Sequence, residues 1–304
     1  MSWSTPMAVD ADRMQKPVRK IRKLLKNMST SPGQDEVHDL RTNSRRIEAT
    51  LHALSLDSGR PERQALKQIS KLRKRAGKVR DMDVLTSYAS QVPRLDGEQE
   101  CSVDLLEYLG AQRQKYAKKL DLVIKQYASP LRKRLKQTSR QMDKALHRNG
   151  SRDSSGNTVN TKAAASALHL LSELTQPAHL GRNNLHPYRL KVKELRNVLE
   201  MAENAKEKEF VKRLGEVKDA IGEWHDREEL LTIAKDVLNH RPNCQLLAEL
   251  RKTADAKFKT ALALAESMRK QFLRVSERAD KRSSHGNTRG PAEPVWSATA
   301  ALAA

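Results

Sequence analysis

Cysteine is almost missing from this 304-residue chain. Cys101 and Cys244 stand far apart, which excludes a disulfide framework and points to a reducing compartment. Glycine (12) and proline (11) are scarce, against an all-β fold with its many tight turns. Aromatic residues are scarcer still, with 3 Phe, 3 Trp and 5 Tyr, so a core must be built from Leu, Ile, Val and Ala. No apolar run approaches the ~18 residues of a membrane span. The opening MSWSTPMAVDADRM lacks the basic-then-apolar layout of a secretory leader. The expectation is a cytoplasmic, helical protein with no membrane partner. Acidic residues are also in deficit: 37 Asp and Glu against 58 Lys and Arg leave a formal charge of +21. A surplus of that size predicts a polyanionic partner. Residues 1–150 carry +15 of it and residues 151–304 carry +6.

What is present is helical periodicity. Val18, Ile21, Leu25 and Met28 set a first helix over about 12–28. A second follows Ser31-Pro32-Gly33 to about Leu56, and a third runs from Pro61, a favoured first-turn residue, to about Val79. A short helix is expected over about 80–91. Long ones are expected over 98–128 and 130–148, broken at Ser129-Pro130 because the residue before proline leaves the helical region. The polar stretch Arg148 to Asn160 reads as the main linker, with residues 150–160 at its heart. Helices over about 162–175, 184–204, 207–223, 226–239 and 245–280 complete the chain, and 283–304 reads as a disordered tail.

Two elements repeat across the linker. His38-Asp39-Leu40-Arg41 and His186-Pro187-Tyr188-Arg189 lie 148 residues apart. Ala76-Gly77-Lys78-Val79-Arg80-Asp81 and Ile221-Gly222-Glu223-Trp224-His225-Asp226 lie 145 apart. The natural reading is an all-α protein of two four-helix bundles related by a pseudo-twofold repeat, one over 10–149 and the other over 161–282. At about 100° per residue, His38, Arg41 and Arg45 share one side of their helix while Leu40, Ile47 and Leu51 share the other. His186, Arg189, Lys193 and Arg196 gather opposite Tyr188, Val192, Leu195 and Leu199 in the same way. Arg63, Lys67, Lys71, Lys74 and Lys78 form a stripe whose like charges disfavour an isolated helix. A lysine stripe is ordinarily a solvated face, but a His-x-x-Arg register kept twice points to a ligand. A metal is disfavoured there, because the His faces are cationic and each cysteine stands alone. The other seven histidines, His225 among them, carry no comparable signal. Gly77 and Gly222 are expected at helix ends, Asp81 and Asp226 as caps or partners of basic residues, and Trp224 in the core.

Four segments together resemble a known family. VHDLRTNSRRIEATL (37–51) and LHPYRLKVKELRNVLE (185–200) are similar to the two signature helices of the conserved-histidine α-helical domain, the CHAD family. AGKVRDMDVL (76–85) and IGEWHDREEL (221–230) resemble its Gly/Asp elements. The resemblance covers about residues 10–280. It implies two four-helix bundles with a basic groove or pore between them, lined by inorganic-polyphosphate ligands. Carried onto this chain, those are His38, Arg41, Arg45 and Arg46, then His186, Arg189, Lys193 and Arg196, with Lys67, Lys71, Lys74 and Lys78 joining from the stripe. Glu216, Asp219 and Glu223 replace the lysines in the second half, a departure from the first. Some family members carry a triphosphatase domain with an E-x-E-x-K strand. The nearest match, residues 207–212, is out of register and on an expected helix. No phosphate loop, nucleophile elbow or paired-carboxylate centre is evident. The expectation is a stand-alone, non-catalytic polyphosphate binder without cofactor, associated with polyphosphate granules. The alternative is a basic helical nucleic-acid binder, against which the sparse aromatics count.

Overall fold

A computed structural model describes residues 9–28, 32–92, 99–148, 159–201, 208–239 and 244–273. Among them are eight α-helices and no strand: α1 (Ala11–Asn27), α2 (Gln34–Ala53), α3 (Arg60–Ser90), α4 (Gln99–Arg148), α5 (Val159–Thr175), α6 (Arg182–Leu199), α7 (Lys208–Val237) and α8 (Gln245–Phe272). The expected tail at 283–304 and the linker positions 150–158 lie outside the described residues. Val159 and Asn160, read as the end of the linker, form the first turn of α5.

Helix starts follow local chemistry. Asp10 caps α1, its Oδ1 accepting from the backbone N–H groups of Asp12 at 2.8 Å and Arg13 at 3.3 Å. The helices that begin the two repeats share one device. The Glu36 carboxylate accepts from Gly33 N–H at 3.0 Å before α2, and the Asn184 carbonyl accepts from Gly181 N–H at 2.8 Å before α6. Pro61 occupies the first turn of α3.

Three expected breaks are absent. α3 continues through Gly77 and α7 through Gly222, so neither glycine ends a helix. Both are buried mid-helix, where the missing Cβ admits an arginine from a neighbouring helix. α4 likewise runs past Pro130. A proline removes one backbone donor and strains the turn before it. Leu120, Ile124, Leu131 and Leu135, buried on either side of it, hold the two segments to the same core. Each fully buried leucine contributes about 1.5–3 kcal/mol. That packing outweighs the local preference.

Neighbouring helices pack in chain order in both halves: α1 on α2, α2 on α3, α3 on α4, then α5 on α6, α6 on α7, α7 on α8. α1 also packs on α4. The halves meet where α2 touches α5 and α6, and where α3 and α4 touch α7. Two hydrophobic clusters form the interior. The larger joins Met14, Leu40 and Leu72 to Leu185, Leu214 and Met268. The smaller joins Leu85 and Leu105 to Leu230 and Leu250. Each cluster draws on both halves. As the composition requires, aliphatic side chains fill most of the core, and Trp224 is buried with them.

Candidate anion-binding site

The contact of α2 with α6 sets the site, because it brings the repeated basic faces together. Arg41 and Arg45 come from α2, Arg189 and Lys193 from α6. Arg41 passes Gly77 of α3, whose absent Cβ would lie 3.8 Å from Arg41 Nε, and reaches Asp81 at 3.7 Å. Arg189 lies closer on Gly222 of α7. A Cβ there would fall 2.8 Å from the guanidinium carbon and 3.0 Å from Nε. That Nε donates to the backbone carbonyl of Lys218 at 3.1 Å. The Gly/Asp element is thus a seat for the arginine of the His-x-x-Arg element, built once in each half. Asp81 and Asp226 stand inside helices and serve as arginine partners, not caps.

Charge in this cluster is crowded. Burial lowers the Arg45 pKa to about 10, and Arg41, Arg73 and Arg189 push it in the same direction. Arg45 Nε is buried without a hydrogen bond. Burial, followed by Arg45, Arg41, Arg189 and Lys218, lowers the Lys193 amine to about 6. Burial raises Asp81 against the pull of Arg41 and Lys78. Burial and then nearby Asp81 raise Asp226 to about 6, while Arg189 opposes them. Glu229 is raised too, by burial first and then by Asp81. Burial thus drives groups of both signs in one place toward their neutral forms.

The two histidines sit at the edge of this cluster. His38 is exposed on the first turns of α2, and its pKa is lowered by partial burial and then by Arg80. His186 is lowered by burial, then by Arg189 and Arg45, and its Nδ1 is buried without a partner. Its ring packs on His225 with centroids 3.9 Å apart. Burial, then His186 and Arg189, takes His225 down to about 4. His225 was not expected here. The signal was available in the repeat: His225 occupies the register of Arg80, the residue before the aspartate. Both positions face the histidine of their own half. Arg73, which lines a pocket of about 250 Å³ with Arg45 and Lys193, and Lys218 were also missed.

The remaining sequence candidates fall elsewhere. Arg46 and Arg196 share one carboxylate, that of Glu200, at 3.3 Å and 2.7 Å, and so tie α2 to the end of α6. Lys71, Lys74 and Lys78 line a separate pocket of about 590 Å³ between α3 and α4, joined by Arg75 and Tyr127. Lys71 Nζ donates to the Tyr127 hydroxyl at 3.0 Å and lies over its ring. Lys78 also lowers Asp81 and Glu229, so it stands between this pocket and the central cluster. Lys67 is exposed on the same helix and lines neither pocket. In the second half the acidic replacements are paired. Glu216 binds Arg213 at 2.8 Å, Asp219 binds Lys218 at 2.7 Å, and Glu223 binds Lys257 at 2.9 Å. Residues 208–212 of the triphosphatase-like stretch lie in α7. Among the described residues no helix is long and apolar enough to cross a membrane, and no three His, Cys, Asp or Glu gather as a metal site.

A family model described as the CHAD domain matches residues 13–235. The fold is similar to the crystal structure of the CHAD domain from the plant Ricinus communis, with a TM-score of 0.61 and 17% identity over 87% of this chain and 92% of that one. At that identity the likeness concerns the fold. No curated protein matches the chain.

Proposed function

The chain belongs to the CHAD domain family, and on that premise we propose that it binds inorganic polyphosphate, without catalysis, across the α2–α6 contact. The observation that carries this reading is the convergence of Arg41, Arg45, Arg189 and Lys193 from the two repeats into one partly buried cluster. Arginine meets phosphate oxygens as a planar fork, and lysine adds a compact charge. A linear polyanion would supply the negative charge this cluster lacks, and His38 and His186 would add hydrogen bonds at its edge. The lysine pocket between α3 and α4 would carry the chain onward from Lys78. Polyphosphate granules in the cytoplasm are the setting this reading gives the protein.

The test is competition at matched phosphate concentration. Labelled long-chain polyphosphate is bound to the full chain and challenged with single-stranded DNA, RNA or unlabelled polyphosphate over a range of salt. Polyphosphate should displace the label far better than either nucleic acid. Affinity should fall steeply with ionic strength as counterions are released. Equal displacement by nucleic acid would favour a general polyanion binder. A flat dependence on salt would rule out a multi-phosphate contact.

A further inference from the structure

Lys193 is set apart from the other lysines near it. Lys191 pairs with Glu173, and Lys218 pairs with Asp219. Lys193 has no such ion pair among the described residues. Its neighbours Arg41, Arg45, Arg189 and Lys218 are all cationic, and its amine loses its proton near pH 6. Burial and these cations favour the neutral amine, which carries a lone pair where an ordinary lysine carries a proton. It also opens onto the pocket of about 250 Å³ between α2, α3 and α6, several times the ~30 Å³ share of a water. Two arginines line the same pocket. Arg45 keeps a buried Nε without a partner, and Arg73 is held by Glu48 through its Nε at 2.8 Å. Glu48, His52 and Glu194 are the other titratable groups on the wall, and His52 is bound to Asp57 at 2.8 Å. The Lys193 amine thus shares a small pocket with two guanidinium groups.

We propose that Lys193 is an acyl-acceptor amine for small acyl phosphates, mixed anhydrides whose phosphoryl group Arg45 and Arg73 hold beside it. The Nζ lone pair attacks the carbonyl carbon, a C–N bond forms, and the C–O bond to phosphate breaks. Inorganic phosphate leaves between the arginines, and the proton shed by nitrogen passes to that phosphate or to water. No oxidant, reductant or further reactant is needed. The product amide cannot take a proton, so the modified pocket can no longer gain the cation that a bound polyanion would induce at Lys193. A bound polyanion would protonate and cover the same amine. Acylation is therefore a reaction of the unliganded protein.

The experiment uses the full chain with two reagents: acetyl phosphate, and N-hydroxysuccinimidyl acetate, which transfers the same group but has no phosphate. Acetylation of every lysine is followed over time by peptide mass spectrometry. At pH 7 Lys193 should react about tenfold faster than exposed Lys71 and Lys74 with both reagents. At pH 8.5, where the amine is unprotonated in either background, Arg45→Gln should slow acetyl phosphate severalfold and leave the ester rate unchanged. Lys193 reacting no faster than the surface lysines would overturn the proposal. So would an unchanged acetyl phosphate rate in Arg45→Gln, because the phosphoryl group would then not be held. Long-chain polyphosphate in excess should protect Lys193 from both reagents. Absence of protection would count against polyphosphate reaching this pocket and leave the acylation standing, so the two readings fail separately.

Discussion

Arg45 and Lys193 are partly buried among other cations, while Lys71, Lys74 and Lys78 stand on exposed surface beside Tyr127. The first region gathers its basic groups at a cost to the empty fold, and Lys193 is pushed toward its neutral form there. The second keeps its charge almost freely, because water screens it. Stability alone gives no reason to gather cations in the first place, whereas a ligand does. In the second region solvation is a sufficient explanation, and on the proposed reading a ligand there would add range more than strength.

The comparison can be broken first at Arg45 and Lys193. Replacing both, Arg45→Ala with Lys193→Met, should weaken polyphosphate binding by about 30-fold or more, since hydrogen bonds to charged groups contribute ~1.5–3 kcal/mol each. The same pair should raise the melting temperature, because like charges are relieved. The sign follows from Lys193, whose folded pKa of about 6 lies below the ordinary lysine value. Between those values the unfolded chain holds the extra proton, so this residue makes stability rise with pH, and its penalty is fullest at and below pH 6 and fades toward the ordinary lysine value. Calorimetry at pH 7 and pH 10 should show the gain shrinking at the higher pH. A fall in melting temperature with unchanged affinity would make these residues structural.

A smaller effect sharpens the comparison between the halves. Gly222→Ala should displace Arg189 from its seat and cost about tenfold in affinity, the value of one charged contact. Gly77→Ala places its methyl at ordinary contact distance from Arg41 and should cost less than twofold. Titration of both variants with one polyphosphate chain length measures the difference. Equal effects would mean that the seats are equally tight in solution.

On the exposed face, Lys71→Ala, Lys74→Ala and Lys78→Ala together should weaken binding by roughly threefold at physiological salt and flatten the log–log salt dependence by about two units. The charge split along the chain leads to the opposite expectation, that this stripe dominates. A loss exceeding that of the Arg45/Lys193 pair would restore that view.

The smallest effect concerns pH. His186 is held below its ordinary pKa by burial and by Arg189. A phosphate beside it would raise that value, so binding takes up protons and tightens as pH falls toward 6. Lys193 and Asp226, both near 6, act in the same direction, one by gaining charge and the other by losing it. Affinity should rise severalfold from pH 7.5 to 5.5, and His38→Gln with His186→Gln should remove part of that rise. If the double variant keeps all of it, Lys193 and Asp226 are the coupled groups.

The helices and their order were legible because apolar spacing survives any tertiary context, and Pro61 marks a start by local chemistry alone. The false breaks at Gly77, Pro130 and Gly222 arose where packing between helices overrides local preference. The repeat made His38, Arg41, Arg45, His186, Arg189 and Lys193 visible as one register. It could not show that Arg46 and Arg196 meet on Glu200, because that contact joins residues 154 apart. The repeat places His225 in the register of Arg80, but the change of residue type kept the two from reading as one signal.

The first helix makes late partners. Asp10 N–H donates to the carbonyl of Met201 at 3.0 Å, and Val9 N–H donates to Asn160 at 3.1 Å. Met14 and Val18 share a core cluster with residues as distant as Met268. Helices made of local contacts fold fast, but contacts this far apart in sequence must wait for loop closure. On a ribosome the beginning of the chain would emerge long before its partners. The start of the chain would stay partly unsatisfied, with the N–H groups of Val9 and Asp10 unpaired, until α5 and the end of α6 arrive. For a protein so basic, that interval is when nascent chains are most exposed to association with ribosomal RNA and with one another.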